Sequence, residues 1–269
     1  MRLFFWYNNG MNNQYFIVSD AHGFFDEMMN ALHREGFDPE NPDHVFVSLG
    51  DLFDRGLQAK EMLEFVNGLK KEQKILILGN HELLMEEAIS NGFTWRDIHN
   101  GTFSTAIQLT GDFSEEEIRN QMKAHKEWNR YISDCRYYAE VGNHIFVHGW
   151  IPNVREGLHG QILGKSKRSN WRNASKKEWY SATWVNGMEA WANGYGEVGK
   201  TVWCGHWHTS YGHCHLHRSC SGEFTPDAIF TPFIDEGICA MDACTAYSHV
   251  VNCLRIQVDE LKEDQPSRE

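Results

Sequence analysis

Three short motifs gather chemistry-bearing side chains into one stretch of the chain: Asp20-Ala21-His22-Gly23, Gly50-Asp51-Leu52-Phe53-Asp54-Arg55-Gly56 and Gly79-Asn80-His81-Glu82. Hard oxygen donors mixed with imidazole suit Mn, Fe or Zn, and no cysteine lies within the motifs to favour a thiolate site. The expected assignment gives Asp20 and His22 to one divalent ion and Asn80, His148 and His206 to a second, with Asp51 bridging. A carboxylate suits the bridge because its two oxygens can hold cations about 3.5–4 Å apart. Two such ions would activate a water near neutral pH for in-line attack on phosphorus. His81 directly follows Asn80 and is placed to act as general acid, with Asp54 fixing its tautomer and raising its pKa. Arg55 can make a bidentate contact with phosphoryl oxygens. The combination points to two-metal phosphoester cleavage.

Each motif needs an element to present it. Gln14 to Val18 is a short apolar run of strand formers, followed by the Asp20 loop and a helical pattern from Phe24 to Arg34. The unit recurs as His44 to Leu49, the Asp51 loop and a helix from about Leu57 to Leu69. It returns as Lys74 to Leu78, the Asn80 loop and a helix beginning near Glu82. Strand-helix alternation of this kind makes parallel strands with right-handed crossovers, which bring the loops to one sheet edge. His144 to Val147 leading into His148, and Thr201 to Cys204 leading into His206, add two further strand ends. Near the C-terminus, Ile238 to Met241 and His249 to Ile256 read as an antiparallel pair in a second sheet. Residues 83–140 read as a helical insertion, with Ser114 to Arg130 a long polar helical stretch. Residues 153–200 read as another helical insertion, basic and tryptophan-rich around Lys165 to Lys177. A single domain over 12–258 is expected, with a charged, frayed tail over 259–269.

The formal net charge of -12 argues against a broad nucleic-acid face, which needs clustered Lys and Arg. The first seven residues carry too few apolar side chains for a secretory signal core. No stretch is long and apolar enough to span a bilayer, so no membrane partner is expected. Seven cysteines, an odd number in a chain too large to need disulfide staples, fit a reducing cytoplasm. His213, Cys214, His215, His217 and Cys220 read as a polar loop beside the active edge rather than a zinc site.

The motifs resemble those of calcineurin-like metallophosphoesterases, within the branch of Ser/Thr phosphoprotein phosphatases and bacterial or phage diadenosine tetraphosphatases. The resemblance runs over about residues 14–258 and implies an α/β fold: a two-sheet β-sandwich flanked by helices, with a dinuclear metal site at the carboxyl ends of the strands. Asp20, His22, Asp51, Asn80, His148 and His206 fall on the family's metal-ligand motifs. Arg55, Asp54 and His81 fall on its phosphate-binding and acid positions. Asn100-Gly101-Thr102 looks like the Asn-Gly-Gly element of bacterial members. His208 matches the end of the wider superfamily's Gly-His-x-His, whose second histidine is a metal ligand.

Two departures bear on substrate. Asn186, in Trp184-Val185-Asn186, occupies the substrate-binding position where bacterial and phage members carry a second phosphate arginine, a role that Arg155 or Arg172 could take instead. Trp150 is bulky where relatives have a small residue, and Trp150 and Trp207 could stack on a base. The leading expectation is a phosphomonoesterase acting on phosphoserine or phosphothreonine in a protein, or on small phosphoesters. Hydrolysis of dinucleoside polyphosphates is the alternative, and a noncatalytic metal-binding scaffold a remote third.

Overall fold

The computed structural model describes residues 13–156, 162–165 and 170–258. The expectations for the first residues and for the 259–269 tail lie outside the described residues. The chain opens with β1 (Gln14–Val18), α1 (Phe25–Glu35), β2 (His44–Ser48), α2 (Ala59–Gly68), β3 (Lys74–Leu76) and α3 (Asn80–Asn91). Four more helices follow: α4 (Trp95–Asn100), α5 (Thr102–Thr110), α6 (Glu115–Ala124) and α7 (Lys126–Asp134). The polar stretch Ser114 to Arg130 is therefore two helices, divided at His125, which caps α7 by accepting the Trp128 N–H. Next come β4 (Ala139–Val141), β5 (His144–Phe146), β6 (Val154–Glu156), β7 (Ile162–Lys165), α8 (Lys176–Ala182) and α9 (Gly187–Ala192). The chain continues through β8 (Thr201–Cys204), β9 (Phe233–Asp235), β10 (Ile238–Ala240), α10 (Thr245–Ser248) and β11 (Cys253–Gln257).

One sheet has the order β11-β1-β2-β3 and the other β4-β5-β8-β10-β9. Strands β1, β2 and β3 run parallel, as do β5, β8 and β10. Alternation along each strand explains why the sheets stack, since a strand directs successive side chains to opposite faces. Ile17, Val45, Val47 and Leu49 from the first sheet meet Phe146, Trp203, Cys239 and Met241 from the second in one buried layer. Their neighbours Phe16, Val18 and Phe46 face outward under α1, α2 and α5 to α7. Ile145, Val202 and Ile238 face outward under α8 and α9. The result is a two-sheet sandwich with helices on both outer faces.

Two expectations are corrected. Ile238–Ala240 and Cys253–Gln257 do not pair with each other: β10 pairs with β8 and β9, whereas β11 pairs antiparallel with β1. Residues 241–252, α10 among them, carry the chain from one sheet to the other, and β11 covers the free edge of β1, aligning Leu254 with Ile17. The 153–200 insertion is not all helical, because β6 and β7 form an antiparallel hairpin within it. Its tryptophans Trp171 and Trp179 are buried core residues.

The cysteine reading changes too. Cys214 and Cys220 form a disulfide, brought together by a wide helical turn over Gly212–Leu216. Among the described residues, no helix is long and apolar enough to cross a membrane.

Candidate metal centre

The loops after β1, β2, β3, β5 and β8 converge at one edge of the sandwich. Their backbone is strained there: nine described non-glycine residues have positive φ, and six of them are Asp20, His22, Asp51, Asp54, Arg55 and His206. Left-handed backbone at non-glycine residues is uncommon and clusters at functional sites, because surrounding contacts must hold it in place. Gly79 and Gly205 make the convergence possible, since a Cβ on Gly79 would collide with the Asp51 carboxylate and one on Gly205 with that of Asp20.

Asp51 sits at the centre, almost fully buried. Its Oδ1 accepts the His81 backbone N–H at 3.0 Å, and its Oδ2 lies 3.3 Å from His148 Nε2. Two compact groups of possible metal ligands share it: His22, Asp51 and His81, and Asp51, His148 and His206. Within each group the ligand atoms lie within 4.8 Å of one another.

The imidazole tautomers follow from backbone carbonyls. His22 Nδ1 lies 3.0 Å from the Phe53 carbonyl and His148 Nδ1 lies 2.8 Å from that of Leu49. Each Nδ1–H therefore donates, which leaves Nε2 of a neutral ring with a lone pair facing the site. His148 Nε2 then meets Asn80 Oδ1 at 2.8 Å and the Asp51 carboxylate, so three lone-pair atoms point at one place. A proton can satisfy that arrangement, and so can a divalent cation. Burial opposes charge on His148, but Asp51 and then Asp20 outweigh it and push its pKa up to about 10. Burial likewise opposes charge on Asp51, yet His148 and His81 hold it well below the usual carboxylate range. The oxygen and imidazole donors fit Mn, Fe or Zn.

Asp20 is placed differently from the expected pairing with His22. Its carboxylate accepts the Ser19 hydroxyl and the His206 N–H, the latter at 3.1 and 3.2 Å, and His81 rather than Asp20 joins the His22 group. Burial, followed by the neighbouring Asp51, raises the Asp20 pKa to about 6 despite the opposing pull of His148. His206 is bonded to the Trp184 backbone, and burial with His148 nearby lowers its pKa to about 3. His208 joins neither group: its Nδ1 lies 2.8 Å from Ser210 Oγ and its Nε2 lies 3.3 Å from Glu223.

His81 and Asp54 meet as expected. His81 Nδ1 lies 2.7 Å from Asp54 Oδ2, and the Thr102 hydroxyl donates to the same oxygen at 2.6 Å. Burial opposes the His81 charge, but Asp51 and Asp54 raise its pKa above the ordinary imidazole value. Arg55 is exposed at the rim, with its backbone packed on Gly101 and its charge bearing on His22, His81 and Asp242.

Asn186 is brought near the site, where its side-chain oxygen serves as a helix cap. It is almost fully buried, and its Oδ1 caps α9 by accepting the Glu189 N–H at 3.1 Å. Arg172 is held by Glu140 and Glu197, and Arg155 lies on the β6 hairpin against Gly164. Trp150 is fully buried, with its indole N–H donated to the Tyr195 carbonyl, so it has no face open for a base.

Glu82, the last residue of the third motif, braces the centre. Its carboxylate accepts the N–H groups of Asp51 at 3.0 Å, Leu52 at 3.1 Å and Gly79 at 2.9 Å, and the Tyr131 hydroxyl at 3.0 Å. A glutamate at the third position of a helix after a loop glycine is the sequence signal that could have marked it. Asp242 carried no such signal: it is buried beside Asp20, and burial with that charge pushes its pKa up to about 7.

Comparison with known proteins adds a family. The calcineurin-like phosphoesterase family model matches residues 15–234. A symmetrical bis(5'-nucleosyl)-tetraphosphatase of Marinomonas sp. (strain MWYL1) is 24% identical over 178 residues, covering 66% of this chain and 59% of that protein. An enzyme of the same name from Actinobacillus succinogenes (strain ATCC 55618 / DSM 22257 / CCUG 43843 / 130Z) is 41% identical over 100 residues, 37% of this chain and 34% of the relative. The matched region thus spans less than two thirds of these relatives. Among solved structures, a cold-active protein tyrosine phosphatase aligns with a TM-score of 0.53 at 16% identity, covering 91% of this chain and 74% of that one, which shows a shared fold.

Proposed function

Because the chain belongs to the calcineurin-like phosphoesterase family of metal-dependent hydrolases, we propose that the centre around Asp51 cleaves phosphoanhydrides of dinucleoside polyphosphates. The observation that carries the chemistry is Asp51 shared by two ligand groups, beside a histidine already paired with Asp54. In this reading His22 and Asp51, with Asp20 beside them, would hold one divalent ion, and Asp51, Asn80, His148 and His206 would hold the other. When bound, the two ions supply Lewis-acid charge and a water acidic enough to lose its proton near neutral pH. Arg55 orients the phosphoryl group from the rim. As the water oxygen bonds to phosphorus and the bond to the leaving oxygen breaks, His81 Nε2–H donates to that oxygen while Asp54 holds Nδ1–H.

Charge favours the anhydride substrate. An internal phosphoryl of a polyphosphate carries one negative charge, whereas a phosphomonoester carries about 1.5 to 2 at neutral pH. With Asn186 used as a helix cap and Arg172 tied to two glutamates, Arg55 is a described guanidinium whose charge bears on the centre. A rim arginine with a single positive charge suits the singly charged group. The shared name of the curated relatives points the same way.

A Ser/Thr protein phosphatase is the second reading, and one observation favours it. The His81–Asp54 relay is complete, and an alkoxide leaving group needs such an acid more than a phosphate does. Incubating the Mn²⁺-loaded protein with a phosphoserine peptide and a dinucleoside tetraphosphate together separates the two. Nucleotide products with the peptide intact support the first reading, and free phosphate from the peptide with the dinucleotide intact replaces it by the second.

A further inference from the structure

Beyond the centre, the described surface carries an aromatic platform that the chemistry above does not use. Phe224 and Tyr247 are 52% and 55% exposed and meet edge to face, with ring centroids 5.3 Å apart and planes at 79°. Phe230 completes a triangle, 5.7 Å from Tyr247 and 6.5 Å from Phe224. On its inner side, Phe224 packs against the His208 ring at 4.8 Å.

Both halves of the platform are tied to the metal centre. His208 follows His206 by two residues. Tyr247 lies on α10, whose Thr245 hydroxyl donates to the Asp20 carbonyl at 2.9 Å. The Phe224 segment is braced as well: Glu223 meets His208 at 3.3 Å and His215 at 2.7 Å, and the Cys214–Cys220 disulfide anchors the chain just before it. Asp227 then closes the turn, accepting the Ser221 and Thr225 hydroxyls at 2.7 and 2.6 Å. An exposed ring braced by neighbours, with a second ring standing nearly perpendicular beside it, is preorganised to stack one flat partner, because little side-chain freedom is lost on binding.

We propose that the Phe224–Tyr247 platform is the nucleobase subsite of this enzyme, stacking one base of a dinucleoside polyphosphate whose phosphates lie at Arg55 and the metal centre. This rests on the polyphosphate reading of the preceding section. The occupant is the base rather than the phosphates, because Glu223 adjoins Phe224 and repels anions but not a neutral ring. Stacking on aromatic faces is tolerant of base identity, so the subsite selects for a nucleoside rather than for adenine.

The test compares wild type with Phe224→Ala, Tyr247→Ala and the conservative Phe224→Trp. It measures kcat and KM for a dinucleoside tetraphosphate, and the inhibition constant of inorganic phosphate, which has no base. Loss of one stacking ring should raise KM about tenfold with kcat retained. Phosphate inhibition should stay unchanged, and Phe224→Trp should keep the wild-type KM. Alanine variants that leave KM unaltered overturn the platform alone, as do variants that weaken phosphate inhibition in parallel with KM. A wild-type protein that hydrolyses a phosphoserine peptide but not the dinucleotide overturns the polyphosphate reading and the subsite with it.

Discussion

Asp54 Oδ2 lies 2.7 Å from His81 Nδ1, and both side chains are almost fully buried. That contact orients the ring so that Nε2–H is the proton available to a leaving group, and it makes the role of His81 separable by leaving-group chemistry. His81→Asn should lower kcat on a phosphoserine peptide by about 10²–10⁴-fold, the usual effect of losing a general acid. On a dinucleoside tetraphosphate the loss should be under about tenfold, because a departing phosphate has its last pKa near 6 and depends far less on the proton His81 donates. Steady-state rates on both substrates check this, and equal losses would remove His81 from the acid role.

Asp51 belongs to both ligand groups, whereas His206 belongs to one. Asp51→Asn should therefore weaken binding of both ions, while His206→Ala should weaken one and leave the other near its wild-type affinity. Equilibrium dialysis against Mn²⁺ reads the stoichiometry directly. Activity of Asp51→Asn should fall by at least about 100-fold, since loss of even a partner to a metal ligand costs about 10–100-fold.

The metal-free protein should lose stability as pH rises from about 6.5 to 10. Folded His148 keeps its proton up to about 10, against 6.5 for an unperturbed ring, so its contribution is complete below 6.5 and vanishes as pH passes 10. Asp242 acts in the same direction at the lower end, because its buried carboxyl ionises only near 7. Metal saturation should reverse the trend, since ligation needs neutral His148 and becomes stronger as protons leave. Urea midpoints at pH 7 and pH 9, with chelator and with Mn²⁺, give the comparison; a metal-free midpoint that rises with pH would contradict it.

Asn186 Oδ1 caps α9. Asn186→Ala should cost about 1 kcal/mol of stability, as for other lost N-caps, and leave KM for the dinucleotide unchanged. A raised KM without a stability loss would return Asn186 to the substrate.

Much of the centre was legible in the sequence because its parts are local. Asp20, Asp51 and Asn80 each sit just past a run of strand formers, and parallel strands bring such positions to one edge whatever lies between them. His81 beside Asn80, and Asp54 three residues after Asp51, inherit their places from the same loops. The sandwich itself came from the resemblance rather than from periodicity, and the β11 pairing was misread because a strand's pattern identifies its apolar face but not its neighbour.

What the sequence determined by itself is the set of donor atoms and their order along the chain: carboxylates, imidazoles and an amide, each at a strand end. Only the tertiary structure decided how those atoms are used. The bracing by Glu82 and Tyr131 joins residues 49 positions apart, and the contact of Asp20 with the His206 backbone joins residues 186 apart. It also buried Trp150, turned Asn186 into a cap and left Phe224 and Tyr247 open beside His208. Local spacing sets which groups a loop can present. Their burial, orientation and partners depend on packing between elements far apart in the chain, and no short-range pattern encodes that packing.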